Sequence, residues 1–160
     1  MHRDLIRQLD EAVTEVFAVM LNLVCTSEPA RANSKEEQTE AGRAEPHQYL
    51  TASVLFSGPL EGRCCLQLEE RTATELTSNL MGMPLREISP DLCADTTGEL
   101  CNMIAGSWKK RHPTDLAASF LSCPTVTIGS CDRVVDTFRE ATTLLYHVNG
   151  HHLTLLLAFD

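Results

Sequence analysis

Clustered cations are scarce in this sequence, cysteine pairs at redox or metal spacing and an apolar run long enough for a bilayer are missing, and each lack excludes a class of function. Lysine and arginine total 13 against 22 aspartates and glutamates, a formal net charge of -9. The cations do not gather into a stripe, so the electrostatic footprint for nucleic acid or an anionic membrane is absent. The seven cysteines, Cys25, Cys64, Cys65, Cys93, Cys101, Cys123 and Cys131, are odd in number and form no C-x-x-C pair. Most sit inside apolar patterns, where a thiol behaves as a small hydrophobe. They read as reduced core residues, which suits the cytoplasm. The residues from Met1 to Val13 carry charge where a signal peptide needs its apolar run. No segment reaches the roughly 20 apolar residues of a membrane span. There is no internal repeat, and no nucleophile, base and acid set for a small-molecule or metal enzyme.

What is present suffices for a core. A chain of 160 residues with 43% hydrophobic content supports one compact domain over residues 1–160 and is short for two. From Asp4 to Cys25, Leu5, Leu9, Val13, Val16, Phe17, Met20, Leu21 and Val24 recur at helical spacing. Thr26 to Gln48 is polar and nearly free of apolar residues, which predicts a solvated loop, disordered around Glu28 to Glu45. The period then shortens: YLTASVLFSG and RCCLQLE, separated by Gly58, Pro59, Glu61 and Gly62, predict a hairpin. Arg71 to Met81 returns to helical spacing and stops at Gly82 and Pro84. After a further helix, described next, a loop at His112 to Asp115 leads to a short strand in CPTVTIG. ATTLLYHV and HLTLLLAF form a last pair around Asn149 and Gly150, and Asp132 to Thr137 is either strand or loop. The element order predicts an α+β domain, with helices packed on an antiparallel sheet.

The helix from Ser89 to about Arg111 carries the chemistry. Ser89 can accept from an early backbone N–H, Pro90 suits the first turn, and Asp91 suits the positive helix end. At about 100° per residue, Cys93, Thr97, Leu100, Cys101, Ile104 and Trp108 share one arc, the side that packs on a core. Opposite them lie Asp95, Glu99, Asn102 and Gly106, at spacings of four, three and four, so that they line up as a row. By itself such a row is an ordinary solvated face. Gly106 costs about 1 kcal/mol relative to alanine in a helix interior. Either close approach of a partner or a break in the helix accounts for it. Lys109, Lys110 and Arg111 read as favourable C-terminal cations.

Other residues invite sharper readings and decline them. His147, His151 and His152 flank the Asn149–Gly150 turn, but no carboxylate or cysteine spacing completes a recognisable metal site, so they read as a polar hairpin tip. Cys64 and Cys65 are strand neighbours and point to opposite faces. Trp108 sits on the core arc.

The pattern Asp95-x3-Glu99-x2-Asn102, followed by the CPTVTIG strand with Pro124, resembles the CheC, CheX and FliY family of receiver-domain phosphatases. The ELCNMIAG run, the preceding SVLFSGPLEGRCCLQL hairpin and the LMG that closes the helix between them extend the likeness over most of Tyr49 to Asp160. Some members carry a second site on another helix. Here Glu15 with Ala18 and Glu75 with Ser78 offer no asparagine, leaving one site, as in the CheX type. The interval from Asn102 to Pro124 is one residue shorter than the family pattern, and the Thr26 to Gln48 insertion is long. The resemblance implies a CheC/CheX-like fold and a phosphatase that speeds loss of the aspartyl phosphate from a CheY-like response regulator. Asn102 then orients the attacking water and Glu99 docks the receiver, with Asp95 and Gly106 as provisional partner contacts. It implies no cofactor or metal of the chain's own; Mg2+ is expected in the receiver. The alternative is a non-catalytic CheX-like module that regulates by docking alone. Strands near the C-terminus that are apolar in places on both faces, together with the resemblance, suggest a homodimer.

Overall fold

Apolar residues alternate along four long strands, and that alternation builds a sheet with one face under three helices. The computed structural model describes residues 2–28, 48–112, 118–129 and 138–160. The elements are α1 (His2–Leu21), β1 (Cys25–Ser27), β2 (Tyr49–Ser57), β3 (Gly62–Glu69), α2 (Glu70–Met81), a 3-10 turn (Leu85–Glu87), α3 (Pro90–Arg111), β4 (Phe120–Leu121), β5 (Thr125–Ile128), β6 (Glu140–Val148) and β7 (His151–Phe159). The sheet runs β1-β6-β7-β3-β2-β4, with β5 on the same flank of β2 as β4, and every pairing is antiparallel. This is the predicted α+β arrangement.

Val54 and Phe56 of β2, Leu66 and Leu68 of β3, and Leu153 and Leu155 of β7 are buried on the covered face, two residues apart along each strand as the pleat requires. Leu5, Leu9, Val13 and Phe17 of α1 and Leu100, Ile104 and Trp108 of α3 close over them in one cluster. Gly62 opens β3 where only glycine fits, because a Cβ there would stand 2.3 Å from the Ala158 carbonyl oxygen and 2.5 Å from the Phe56 ring. Asn149 and Gly150 both take positive φ, the conformation of a two-residue type I′ hairpin turn. Cys64 and Cys65 divide between the faces as expected: Cys64 joins the main core, and Cys65 packs with Leu156 on the other side. Burial pushes the Cys25 thiol up to about 12, so it stays protonated and apolar in character. Cys93 and Cys101 are likewise buried and Cys123 is exposed; Cys131 lies outside the described residues.

Several expectations need correcting. The first helix ends at Leu21, not near Cys25, because Asn22 adopts φ 53° and Leu23 N–H closes a wide turn onto the Phe17 carbonyl at 3.1 Å, a Schellman-type stop. Val24 therefore leaves the apolar stripe and is 79% exposed, and Met20 is 45% exposed. The polar segment does not begin as a loop at Thr26, since Thr26 and Ser27 pair with His147 and Tyr146 in β1. The disorder expected around Glu28 to Glu45 falls almost wholly outside the described residues, as does Asp132 to Thr137. The two C-terminal strands are not sheet edges: β7 lies between β6 and β3, and β6 between β1 and β7. Among the described residues no helix is long and apolar enough to cross a membrane.

Candidate functional site

Local chemistry starts α3 where the sequence places it. Ser89 is extended, and its hydroxyl accepts from Leu92 N–H at 3.2 Å; proline follows at the first helical position, and Lys109, Lys110 and Arg111 fill the last turn. All six residues of the predicted inner arc, Cys93, Thr97, Leu100, Cys101, Ile104 and Trp108, are buried. Three contacts fix how the helix is rotated over the sheet. Trp108 donates its indole N–H to the Leu5 carbonyl at 3.1 Å and stands edge-on to Phe56, ring centroids 5.6 Å apart. The Cys101 thiol lies between two strands, 3.7 Å from the Ala52 carbonyl oxygen and 3.6 Å from that of Cys64. Gly98 lets β5 approach, since a Cβ there would meet Val126 Cγ2 at 3.1 Å and Pro124 Cβ at 3.6 Å.

With that arc locked inward, the opposite row faces out. Asp95 and Glu99 are exposed, and Asn102 and Gly106 are half-buried. Among the described residues, neither the Glu99 carboxylate nor the Asn102 amide has a side-chain partner. The structure therefore brings the four predicted residues together on one accessible surface. It also removes one of the two readings of Gly106. Within α3 the close approach of another element occurs at Gly98, whereas a Cβ on Gly106 would meet nothing within 4 Å, and α3 continues unbroken past Gly106 to Arg111. A helix break is thus not the reason for Gly106.

Two features beside the row were not legible from periodicity. Pro124, through its packing on Gly98, places the turn before β5 against the helix next to the row. On the other side, a groove of about 370 Å³ runs between α1 and α3, lined by Val16, Val19, Met20, Met103 and Gly106, with Glu15, Lys110 and Arg111 at its charged end. Exposed Met20 and Val19 were the clue, because a helix whose apolar stripe is wider than its buried face leaves part of that stripe on the surface. At the end of the groove Glu15 accepts from the Arg111 guanidinium, and from the Ser107 hydroxyl at 2.9 Å. The Arg111 hydrogen bond first, then Ser107 and the Arg111 charge, hold this carboxyl below its ordinary range. Glu75 on α2 is also engaged. Burial pulls its carboxyl up, but contact with the His151 ring and then with Arg71 outweighs that and leaves it low.

The family model for chemotaxis phosphatase CheX matches residues 50–141. Solved structures share the fold over nearly the whole chain. CheX from Vibrio vulnificus superposes with a TM-score of 0.74 at 15% identity, covering 98% of this chain and 96% of its own. A chain of the CheX-CheY-BeF3-Mg2+ complex from Borrelia burgdorferi gives 0.76 at 16% identity, covering 97% of each. FliY from Thermotoga maritima gives 0.62 at 17% identity, covering 94% of this chain and 84% of its own. No curated protein matches the chain in sequence at a significant level.

Proposed function

The chain belongs to the CheX chemotaxis phosphatase family, and from that premise we propose that it is a cytoplasmic phosphatase for the aspartyl phosphate of a CheY-like receiver, working through Asn102 and Glu99. A phosphorylated receiver already holds its phosphoryl group and a divalent metal, so an accelerator need only place water for in-line attack. An amide can do this, because the Asn102 carbonyl accepts from the water, its NH2 donates, and it brings no charge to an anionic phosphoryl group. Glu99, one turn earlier, pairs with a cation of the receiver and sets the docking register. Asp95 and Gly106 extend the contact surface along the same row. The Mg2+ belongs to the receiver.

The observation that carries this proposal is the position of Glu99 and Asn102, without side-chain partners among the described residues, on the outer side of a helix whose inner side is pinned at Gly98, Cys101 and Trp108. Such a row is accessible and at the same time rigid, as water placement requires. A related protein of the same fold occurs in complex with CheY, BeF3 and Mg2+, which supports a receiver as the partner here.

The test is the lifetime of the phosphoryl group on a receiver from the same cell, with Mg2+ present. Asn102→Ala should slow dephosphorylation by several hundred-fold, about 3 to 4 kcal/mol of transition-state stabilisation. Equal rates for the two proteins defeat the mechanism. A module that only docks would leave the phosphoryl lifetime untouched, yet still lose its partner on Glu99→Ala in a pull-down. With β6 and β7 interior to the sheet, the expectation of a homodimer in solution rests on the family resemblance; sedimentation that shows only monomer at high concentration argues against it.

A further inference from the structure

The hairpin histidines lacked a carboxylate in the linear sequence, and the fold supplies one. His147 on β6 and His152 on β7 are direct cross-strand partners, next to the type I′ turn, and their ring centroids stand 4.1 Å apart. Both point away from the helices, since Tyr146, Val148 and Leu153 beside them are buried in the main core. Glu28 follows β1, which pairs along β6, and its backbone N–H is tied to the Leu145 carbonyl at 2.8 Å. The Glu28 carboxylate reaches the His147 Nε2 and lies 3.5 Å from His152 Nδ1. Strands β6 and β7 and the residue that follows β1 thus each contribute one donor to a single point at this end of the sheet. All three donor atoms lie within 4.8 Å of one another.

We propose that Glu28, His147 and His152 bind a divalent transition-metal ion, Zn2+ in the first instance, with water in the fourth position. Zinc takes imidazole nitrogen and carboxylate oxygen at about 2.0 to 2.2 Å, which sets tetrahedral donor atoms roughly 3.3 Å apart. The three donor atoms, all within 4.8 Å of one another, are spread on that scale. Two imidazoles and one carboxylate form a borderline donor set that favours zinc and its first-row neighbours over Mg2+ or Ca2+. The donors are also held in place beforehand, by the strand register, the tight turn and the Glu28–Leu145 backbone bond. His152 is exposed and His147 partly so, which leaves an open entry path. Once bound, the ion cross-links β1, held by only three paired residues, to the β6–β7 hairpin.

A hydrogen-bonded trio without metal is the competing account, and a titration separates the two. The full chain, stripped with chelator and kept reduced, is titrated with Zn2+ in competition with a chromophoric chelator, and with Co2+ by visible absorption. One equivalent of metal should bind, without the thiolate-to-metal charge-transfer band that the cysteines would give. His147→Ala and His152→Ala should each weaken binding by roughly a hundred-fold, and Zn2+ should raise the melting temperature of the parent protein but not of these variants. His151→Ala is the internal control, because that ring sits on the same turn but engages Glu75 of α2, and it should bind Zn2+ as the parent does. Absence of stoichiometric binding, or binding that survives His147→Ala and His152→Ala combined, overturns the proposal.

Discussion

Helices α1 and α3 pack against each other, and each presents a glutamate to solvent, yet the two carboxylates have different fates. Glu15 is half exposed and fully engaged, between Arg111 and Ser107, whereas among the described residues Glu99 has no partner. The carboxylate on α1 spends its hydrogen-bonding capacity inside the molecule and joins the two helices. The one on α3 keeps its capacity for something else. Residue type and exposure are alike, so what distinguishes a candidate site from a surface ion pair here is the absence of an internal partner, together with the rigid packing beneath α3.

The most severe way to break this comparison is to move the motif. Ala18 is exposed on α1, so Ala18→Asn creates a Glu15-x-x-Asn pattern there without disturbing the core. In an Asn102→Ala background it should restore nothing, and receiver dephosphorylation should stay several hundred-fold below the parent rate, about 3 to 4 kcal/mol. Recovery of activity would mean that the spacing alone makes the site. A milder change uses Gly106. Nothing lies within 4 Å of a Cβ there, so Gly106→Ala should stabilise the protein to urea by up to about 1 kcal/mol through helix propensity, while weakening receiver binding if the partner closes over that turn. Unchanged binding would remove Gly106 from the contact surface.

The smallest effect concerns acid. Hydrogen bonding and charge from Arg111 lower the Glu15 carboxyl below 4.5, so its stabilisation is present above that value and fades as the pH falls through the lowered folded-state value. Glu15→Gln should therefore flatten the loss of stability on acidification, measured as the urea midpoint at neutral pH and at about pH 3. The change should be modest, because the pair is exposed and screened. A variant curve parallel to that of the parent would show that the Arg111 contact contributes nothing in solution.

How much of this was legible in the sequence follows from the range of the interactions concerned. The start of α3 and its two arcs were readable because a cap and a 3.6-residue period act within a few residues. The last hairpin was readable because Asn-Gly sets its turn locally. The three-residue β1 was not, since two of its residues are polar and its partner lies more than a hundred positions away. The same long range hid Glu28 from the hairpin histidines. Periodicity also assigned Met20 and Val24 to the core stripe of α1, when one helps line a surface groove and the other lies beyond the helix end. The row Asp95, Glu99, Asn102 and Gly106 was found as geometry from the sequence; the role proposed for it came from family resemblance, because a solvated polar face has no periodic signature of function.

The Cys101 thiol, set between the carbonyls of two neighbouring strands, bears on how such a protein can diverge. With one arc of α3 anchored to the sheet by that sulfur and by the indole seven residues on, the outer arc can be rewritten with little consequence for folding. On the proposed function, exposed positions of that row can therefore change to suit a different partner at little cost to folding, whereas substitution of Cys101 or Trp108 should rotate the row out of place even with every residue in it kept.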